Sequence, residues 1–235
     1  MEKIVINGGK ALFGEIEIGG MKNTSLAVIM GSLLIEDKCV IENLPDISDV
    51  QVSFEILRCM GADVKRVNKT TYEVDNTRTK GGKAPRELVN KTRGSYYLLG
   101  AELGRFNCAN VAQPGGCDLG TRAIDYHIKG FQALGATFDT ENGFYKMTAP
   151  NGLKGTQIFL DFESVGATIN IILASVKVEG MTVIENAAKE PHVVDLANFL
   201  NACGADISGA GTNIIKIKGV DKLYGCTYAI LPDMI

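Results

Sequence analysis

Two short segments of this sequence occur twice at one spacing. Val40-Ile41-Glu42-Asn43 returns as Val183-Ile184-Glu185-Asn186, and Gly61-Ala62-Asp63 returns as Gly204-Ala205-Asp206, both displaced by 143 residues. Two matches at one offset point to a duplicated structural unit rather than to chance. Between them, Leu134-Gly135-Ala136-Thr137 places its glycine 74 residues after Gly61 and 69 before Gly204, again at the end of an amphipathic run. The chain therefore divides into three units, at about 19–80, 81–152 and 153–225, and whatever it folds into must repeat itself three times.

Each unit follows one order. An apolar helical stretch (23–34, 93–103, 167–178) leads to a short β-branched strand, then to a second helix ending at Gly-Ala, then to a hairpin. Glycine at these helix ends predicts left-handed C-terminal caps, where a side chain would be strained. The first helices are apolar on most faces, as Ile169, Ile171, Ile172, Leu173 and Val176 show, which predicts burial rather than a surface position. The pattern predicts an α/β (α+β) domain of three units about a shared axis. The ends depart from it: 4–18 reads as a hairpin outside the first unit, and 226–235 as a strand leaving the third. The final Leu-Pro-Asp-Met-Ile lacks terminating features, and the expectation is a piece of a longer architecture.

Bulk composition removes several functions. A formal net charge of -3 provides no field for nucleic acid. The longest apolar segments fall short of the roughly 20 residues that cross a bilayer, so no membrane span is expected. The start has no basic, apolar and cleavable signal regions, which makes the cytoplasm the expected location. Six cysteines contain no Cys-x-x-Cys pair, and the two histidines, His127 and His192, have no companion at ligand spacing, so neither a metal, a cofactor nor a disulfide framework is expected.

Three segments hold candidate chemistry. Gly19-Gly20-Met21-Lys22-Asn23-Thr24 is a glycine turn feeding a helix; its free N–H groups and Lys22 favour an anion, although a solvated lysine after a turn explains the same residues. Gln113 to Arg122 forms a loop with three glycines, at 115, 116 and 120, that presents Cys117. Arg122, five residues on, favours a thiolate, making Cys117 a poised acid or nucleophile; a spectator thiol in a turn fits equally. Lys91-Thr92-Arg93, with Arg122 and Asp125, has the forked cations that hold a diphosphate. Asp125 also suits a helix cap, and His127 and His192 read as structural residues.

Taken in this order, these segments resemble the enolpyruvyl transferases. The Pro114-Gly115-Gly116-Cys117 loop points within them to the branch acting on UDP-N-acetylglucosamine, since the branch acting on shikimate 3-phosphate lacks it. The resemblance covers essentially the whole chain, including 161–168 and 185–191. It implies two similar domains, each an inside-out α/β barrel of three βαβαββ-like repeats. In that arrangement 19–225 forms one domain, 1–18 supplies strands to the other, and 226–235 begins the return crossing.

The resemblance also implies a reaction: transfer of the enolpyruvyl group of phosphoenolpyruvate to the 3-hydroxyl of UDP-N-acetylglucosamine, the first committed step of peptidoglycan precursor synthesis. Lys22 and Asn23 match positions that hold phosphoenolpyruvate and the sugar. Cys117 matches the loop cysteine that protonates the enolpyruvyl methylene and that fosfomycin alkylates. Arg93 and the Arg122, Ala123, Ile124, Asp125 and Tyr126 segment match UDP-sugar contacts; Phe162, Glu163, Ser164 and Val165 match a loop at the uridine end. Four positions depart from the family pattern: Met21, Gly94, Ala123 and Met234. The aspartate base and further phosphoenolpyruvate-binding arginines belong to the second domain, which has no counterpart in these residues. The expectation is little activity from this chain alone, with self-association through the face the other domain would cover. The alternative is a non-catalytic UDP-sugar-binding or regulatory module; an RNA-end-processing protein of the same fold is disfavoured by the acidic balance.

Overall fold

A computed structural model describes residues 3–82, 84–113 and 124–235. The first unit contains α1 (Lys22–Gly31), extended by a 3-10 turn over Ser32–Leu34, then β1 (Lys38–Glu42), α2 (Ser48–Met60), β2 (Asp63–Arg66) and β3 (Tyr72–Asp75). A short α3 (Arg86–Val89) and a 3-10 turn (Arg93–Tyr96) precede the second: α4 (Tyr97–Phe106), β4 (Cys108–Ala112), α5 (Asp125–Ala133), β5 (Thr137–Glu141) and β6 (Phe144–Thr148). The third contains β7 (Gln157–Phe159), α6 (Val165–Ser175), β8 (Met181–Glu185), α7 (Pro191–Ala202), β9 (Asp206–Ser208) and β10 (Ile214–Lys218), and β11 (Thr227–Ala229) follows it. The predicted order of helix, strand, helix and hairpin is present in all three.

Sequence repetition has become geometric repetition. Gly61, Gly135 and Gly204 have φ of +106°, +102° and +97°. Each is followed by an alanine whose N–H reaches back to the preceding helix at 3.0 Å, onto Leu57, Phe131 and Leu200. These are left-handed caps of one design. Asn43 and Asn186, which close the two Val-Ile-Glu-Asn copies, both sit at φ 57°. Each donates its Nδ2 to a backbone carbonyl at 2.8 Å, Asn43 to Ile230 and Asn186 to Leu160.

That second match explains the sheets. Leu160 follows β7, which runs parallel to β8; Ile230 follows β11, which runs parallel to β1. The sheets are ordered β11-β1-β3-β2 and β7-β8-β10-β9, so β11 does for the first unit what β7 does for the third. The closing strand expected to leave the third unit instead completes the first unit's sheet. The second unit's sheet, β4-β6-β5, has three strands among the described residues.

Each sheet packs one face inward, as in the alternation of β10, where Ile215 and Ile217 are buried while Ile214, Lys216 and Lys218 are exposed. Inside lie the apolar helices: α4 packs on α6 and on α1, with α2, α5 and α7 beside them. Close approach of α4 and α6 depends on Gly100, where an added Cβ would lie 2.3 Å from the Asn170 carbonyl oxygen.

The hairpin expected over 4–18 is not formed: no strand occurs in residues 3–19, and they are exposed, Ile4 at 91% and Phe13 at 96%. An isolated two-stranded ribbon with no sheet to join is at best marginally stable in water. Beyond it the chain is held firmly. Gly20 bridges Pro232, Met21 N donates to Leu231 O at 2.9 Å, and Asp233 N donates to Gly19 O at 2.8 Å. The strand segments at the two ends of the three-unit body thus form one seam, directly before α1.

Candidate active site

The seam opens onto a cleft of about 830 Å³. Its lining comes from the first turn of α1, the start of α2, the 91–97 segment, Ile124 with His127 on α5, the Ser164–Gly166 start of α6, and His192 on α7. Several of these are helix starts, because the shared element order points the N-terminal ends of α1, α2, α6 and α7 toward one side. Helix N-termini carry unpaired N–H groups and partial positive charge, so their convergence suits an anionic ligand. Among the described residues no side chain caps α1, and its first turn carries no acid, which leaves the Lys22 charge uncancelled within its own helix.

The partner of Lys22 comes from elsewhere. Its Nζ lies 3.0 Å from Asp49 Oδ2, on the first turn of α2. The other Asp49 oxygen accepts from Thr92 Oγ1 at 2.8 Å, and Thr92 Oγ1 in turn accepts from Gly94 N at 3.3 Å, capping the turn that begins with Arg93. One carboxylate thus joins the two cationic segments and fixes their separation. The Arg93 guanidinium lies over the Tyr96 ring, 5.3 Å from its centroid, which limits its swing. Gly94 fits where it is because a Cβ there would come within 2.9 Å of Leu26.

Opposite, Ser164 Oγ accepts from Ala167 N at 3.3 Å, a cap that shapes the start of α6. Gly166 permits His127 to approach: an added Cβ would meet its Nε2 at 2.8 Å. Burial pushes His127 down to about 4, with the Arg93 charge reinforcing and that of Asp125 opposing, so its imidazole is neutral near pH 7. His192 is lowered too, again chiefly by burial. The Nδ1 atoms of both rings are buried with no hydrogen-bond partner among the described residues.

Of the predicted site residues, Lys22, Asn23, Arg93, Ile124, Ser164 and Val165 line this one cleft. Asp125 and Tyr126 lie beside it on the first turn of α5. Phe162 is 66% exposed just before α6, and Glu163 is paired with Lys189 at 2.7 Å. Cys117, Arg122 and Ala123 lie outside the described residues. Asp49 reads from the sequence as an ordinary first-turn acid of α2; only the fold brings it to Lys22. His127 and His192, read as structural, both face the cleft.

Residues 6–235 match the family model described as EPSP synthase (3-phosphoshikimate 1-carboxyvinyltransferase). The chain belongs to the EPSP synthase family. Within that family, the chain is 53% identical over 235 residues to UDP-N-acetylglucosamine 1-carboxyvinyltransferase 3 of Caldanaerobacter subterraneus subsp. tengcongensis. It is also 53% identical over 236 aligned positions to UDP-N-acetylglucosamine 1-carboxyvinyltransferase 2 of Clostridium acetobutylicum. Both matches cover 100% of this chain and 56% of the relative, so the chain spans little more than half the length of these proteins. Among solved structures of the family fold, the enolpyruvyl transferase NikO from Streptomyces tendae matches with a TM-score of 0.82 at 26% identity, over 97% of this chain and 54% of that one. EPSP synthase from Acinetobacter baumannii matches with a TM-score of 0.75 at 22% identity, over 96% of this chain and 51% of the other, a likeness of fold.

Proposed function

We propose that this chain supplies one wall of the active site of a UDP-N-acetylglucosamine enolpyruvyl transferase, with a second domain supplying the other. The observation that carries this reading is the cleft in which Lys22, Asn23, Arg93 and the Ser164–Val165 helix start face one another. Identity of 53% along the full chain to proteins bearing that enzyme's name supports the choice of sugar nucleotide over shikimate 3-phosphate.

In this reading Lys22 and the free N–H groups at the start of α1 hold the phosphate of phosphoenolpyruvate. Arg93, with Arg122, takes the diphosphate of the sugar nucleotide, and Asn23 orients the sugar. The sugar 3-hydroxyl adds to the enol carbon while an acid delivers a proton to the methylene; that acid is Cys117. Loss of inorganic phosphate and of a methyl proton then regenerates the double bond. Cations at Lys22 stabilise charge on the departing phosphate. Asp49 keeps Lys22 beside the Arg93 turn until an anion takes over its charge. No cofactor or metal enters the scheme.

A cleft with one wall leaves its substrates in water and lacks the base for the sugar hydroxyl, so the chain by itself turns over little. Phosphate release from phosphoenolpyruvate, measured with UDP-N-acetylglucosamine, is the test. The chain alone should be silent, while fusion to the remaining half of one of its 53% identical relatives should restore release. That release should vanish in Cys117→Ala. A folded fusion without turnover refutes the proposal; saturable calorimetric heat from the sugar nucleotide with no turnover from the fusion would instead identify a binding module.

A further inference from the structure

Away from the cleft, three thiols meet where the first and third units join. Cys203 follows α7, Cys226 precedes β11, and Cys39 lies on β1 beside it, since Val40 pairs with Thr227. The Sγ atoms of Cys203 and Cys226 are 3.2 Å apart, and the Cys39 side chain contacts both. All three are free. Their backbones are already fixed: Tyr224 N donates to Cys203 O at 2.8 Å, Val40 N donates to Cys226 O at 2.9 Å, and Gly225 N donates to Asp37 Oδ2 at 3.0 Å. Bonding the two sulfurs at their usual separation of about 2.05 Å brings them closer by only about 1 Å.

We propose that Cys203 and Cys226 are a reversible oxidation site that takes hydrogen peroxide and closes to a disulfide. Cys226 is partly exposed and Cys203 is fully buried, so the oxidant meets Cys226 first. Hydrogen bonds from the thiols of Cys203 and Cys39 draw Cys226 below its ordinary range, while the contact with Cys226 raises Cys203. The Cys226 thiolate attacks one peroxide oxygen and the O–O bond breaks, giving a sulfenic acid and, with one proton, water. The sulfur of Cys203 then attacks that of Cys226; the S–O bond breaks, and the oxygen leaves as a second water with the Cys203 proton. Two thiols are oxidised and one hydrogen peroxide is reduced.

The bond ties β11, and through it the seam at Gly19–Met21 and Leu231–Asp233, to the end of α7. Its consequence is a stiffer join between the first and third units. The experiment treats the full chain with stoichiometric hydrogen peroxide, alkylates the remaining thiols and maps the unreduced peptides by mass spectrometry. A Cys203–Cys226 linked peptide, removed by dithiothreitol, is expected. The thermal midpoint should rise by about 5–10 °C on oxidation, as a loop of this length allows. Both effects should be lost in Cys226→Ser and kept in Cys59→Ser. Cys203 and Cys226 remaining reduced while the exposed Cys59 and Cys108 oxidise would overturn the proposal, as would Cys226 ending as sulfinate or joined only to Cys39 or to another molecule.

Discussion

Gly100→Ala should loosen the centre of the molecule although alanine is the better helix former. The residue lies in α4 facing α6, where a Cβ would stand 2.3 Å from the Asn170 carbonyl oxygen and 2.8 Å from its side-chain Oδ1. Ordinary contact requires about 3.4 Å, so one helix must retreat by about 1 Å from a packed interior that relaxes only in part. Such overpacking costs about 1–3 kcal/mol. Retreat also breaks the bond from Gly100 N to Asn170 Oδ1, 2.8 Å long and fully buried. An orphaned buried group of this kind costs a further ~1–3 kcal/mol. Against this, replacing a helical glycine gains about 1 kcal/mol. The balance is a loss of about 3 kcal/mol, or roughly 10 °C in thermal midpoint for a chain of this size. Calorimetry of the variant beside Gly19→Ala, whose Cβ would meet nothing within 4 Å, gives the comparison. A Gly100→Ala midpoint equal to or above that of the parent would refute the close approach of α4 and α6.

Glu102 gives a pH signature: burial pushes its carboxyl up to about 7, against the opposing bonds from Gly82 N and Asn110 N. Because the folded state holds this proton more tightly than the unfolded one, stability is greatest below the unfolded value near 4.5 and falls as pH rises to about 7. Denaturant titrations of the parent and Glu102→Gln at pH 5 and 8 should show the parent losing about 2–3 kcal/mol more than the variant across that interval; equal losses would contradict it. Lys22→Ala should leave the thermal midpoint within about 2 °C, since its pair with Asp49 is half-exposed, yet weaken phosphoenolpyruvate binding by about tenfold or more in calorimetric titration of the reconstituted protein. Unchanged affinity would remove Lys22 from the anion site. Asn43→Ala and Asn186→Ala should each cost about 1–2 kcal/mol, since each loses a bond and strains a left-handed residue; a loss at one position and none at the other would contradict the shared role.

What the sequence made legible was whatever depends on neighbours within a unit. Helix ends at Gly61, Gly135 and Gly204 were visible because only a left-handed cap asks for glycine there, and burial of α6 was visible in apolar residues that fall on most of its faces. Lys22 stood out as a candidate because a glycine turn before a helix favours an anion, and the fold places it on the cleft. Asp49 and the two histidines were not found, because their meaning arises from contacts across units: Asp49 to Thr92 and Lys22, His127 to Gly166, His192 to a cleft shared with α1. The failure at 4–18 is of another kind. Its alternating pattern does describe a strand, but a strand is stable only against a partner, and periodicity says nothing about whether the partner is present.

The placement of β11 shows why the cleft and the seam are linked. Asn43 ends β1 and holds Ile230; Asp195 on α7 accepts from the Tyr228 hydroxyl and from Leu231 N at 3.1 Å. Leu231 O in turn receives Met21 N, the residue that opens α1. Each bond fixes the next, so the direction of α1, and with it the position of Lys22, is set by a strand more than 200 residues further along the chain. Burial raises the Asp195 carboxyl, which its hydrogen bonds oppose, so this network holds a carboxylate that is costly to bury unless every bond to it is made. Lys22 is thus positioned by the pairing of β11 with the first unit's sheet rather than by the local turn that announces it.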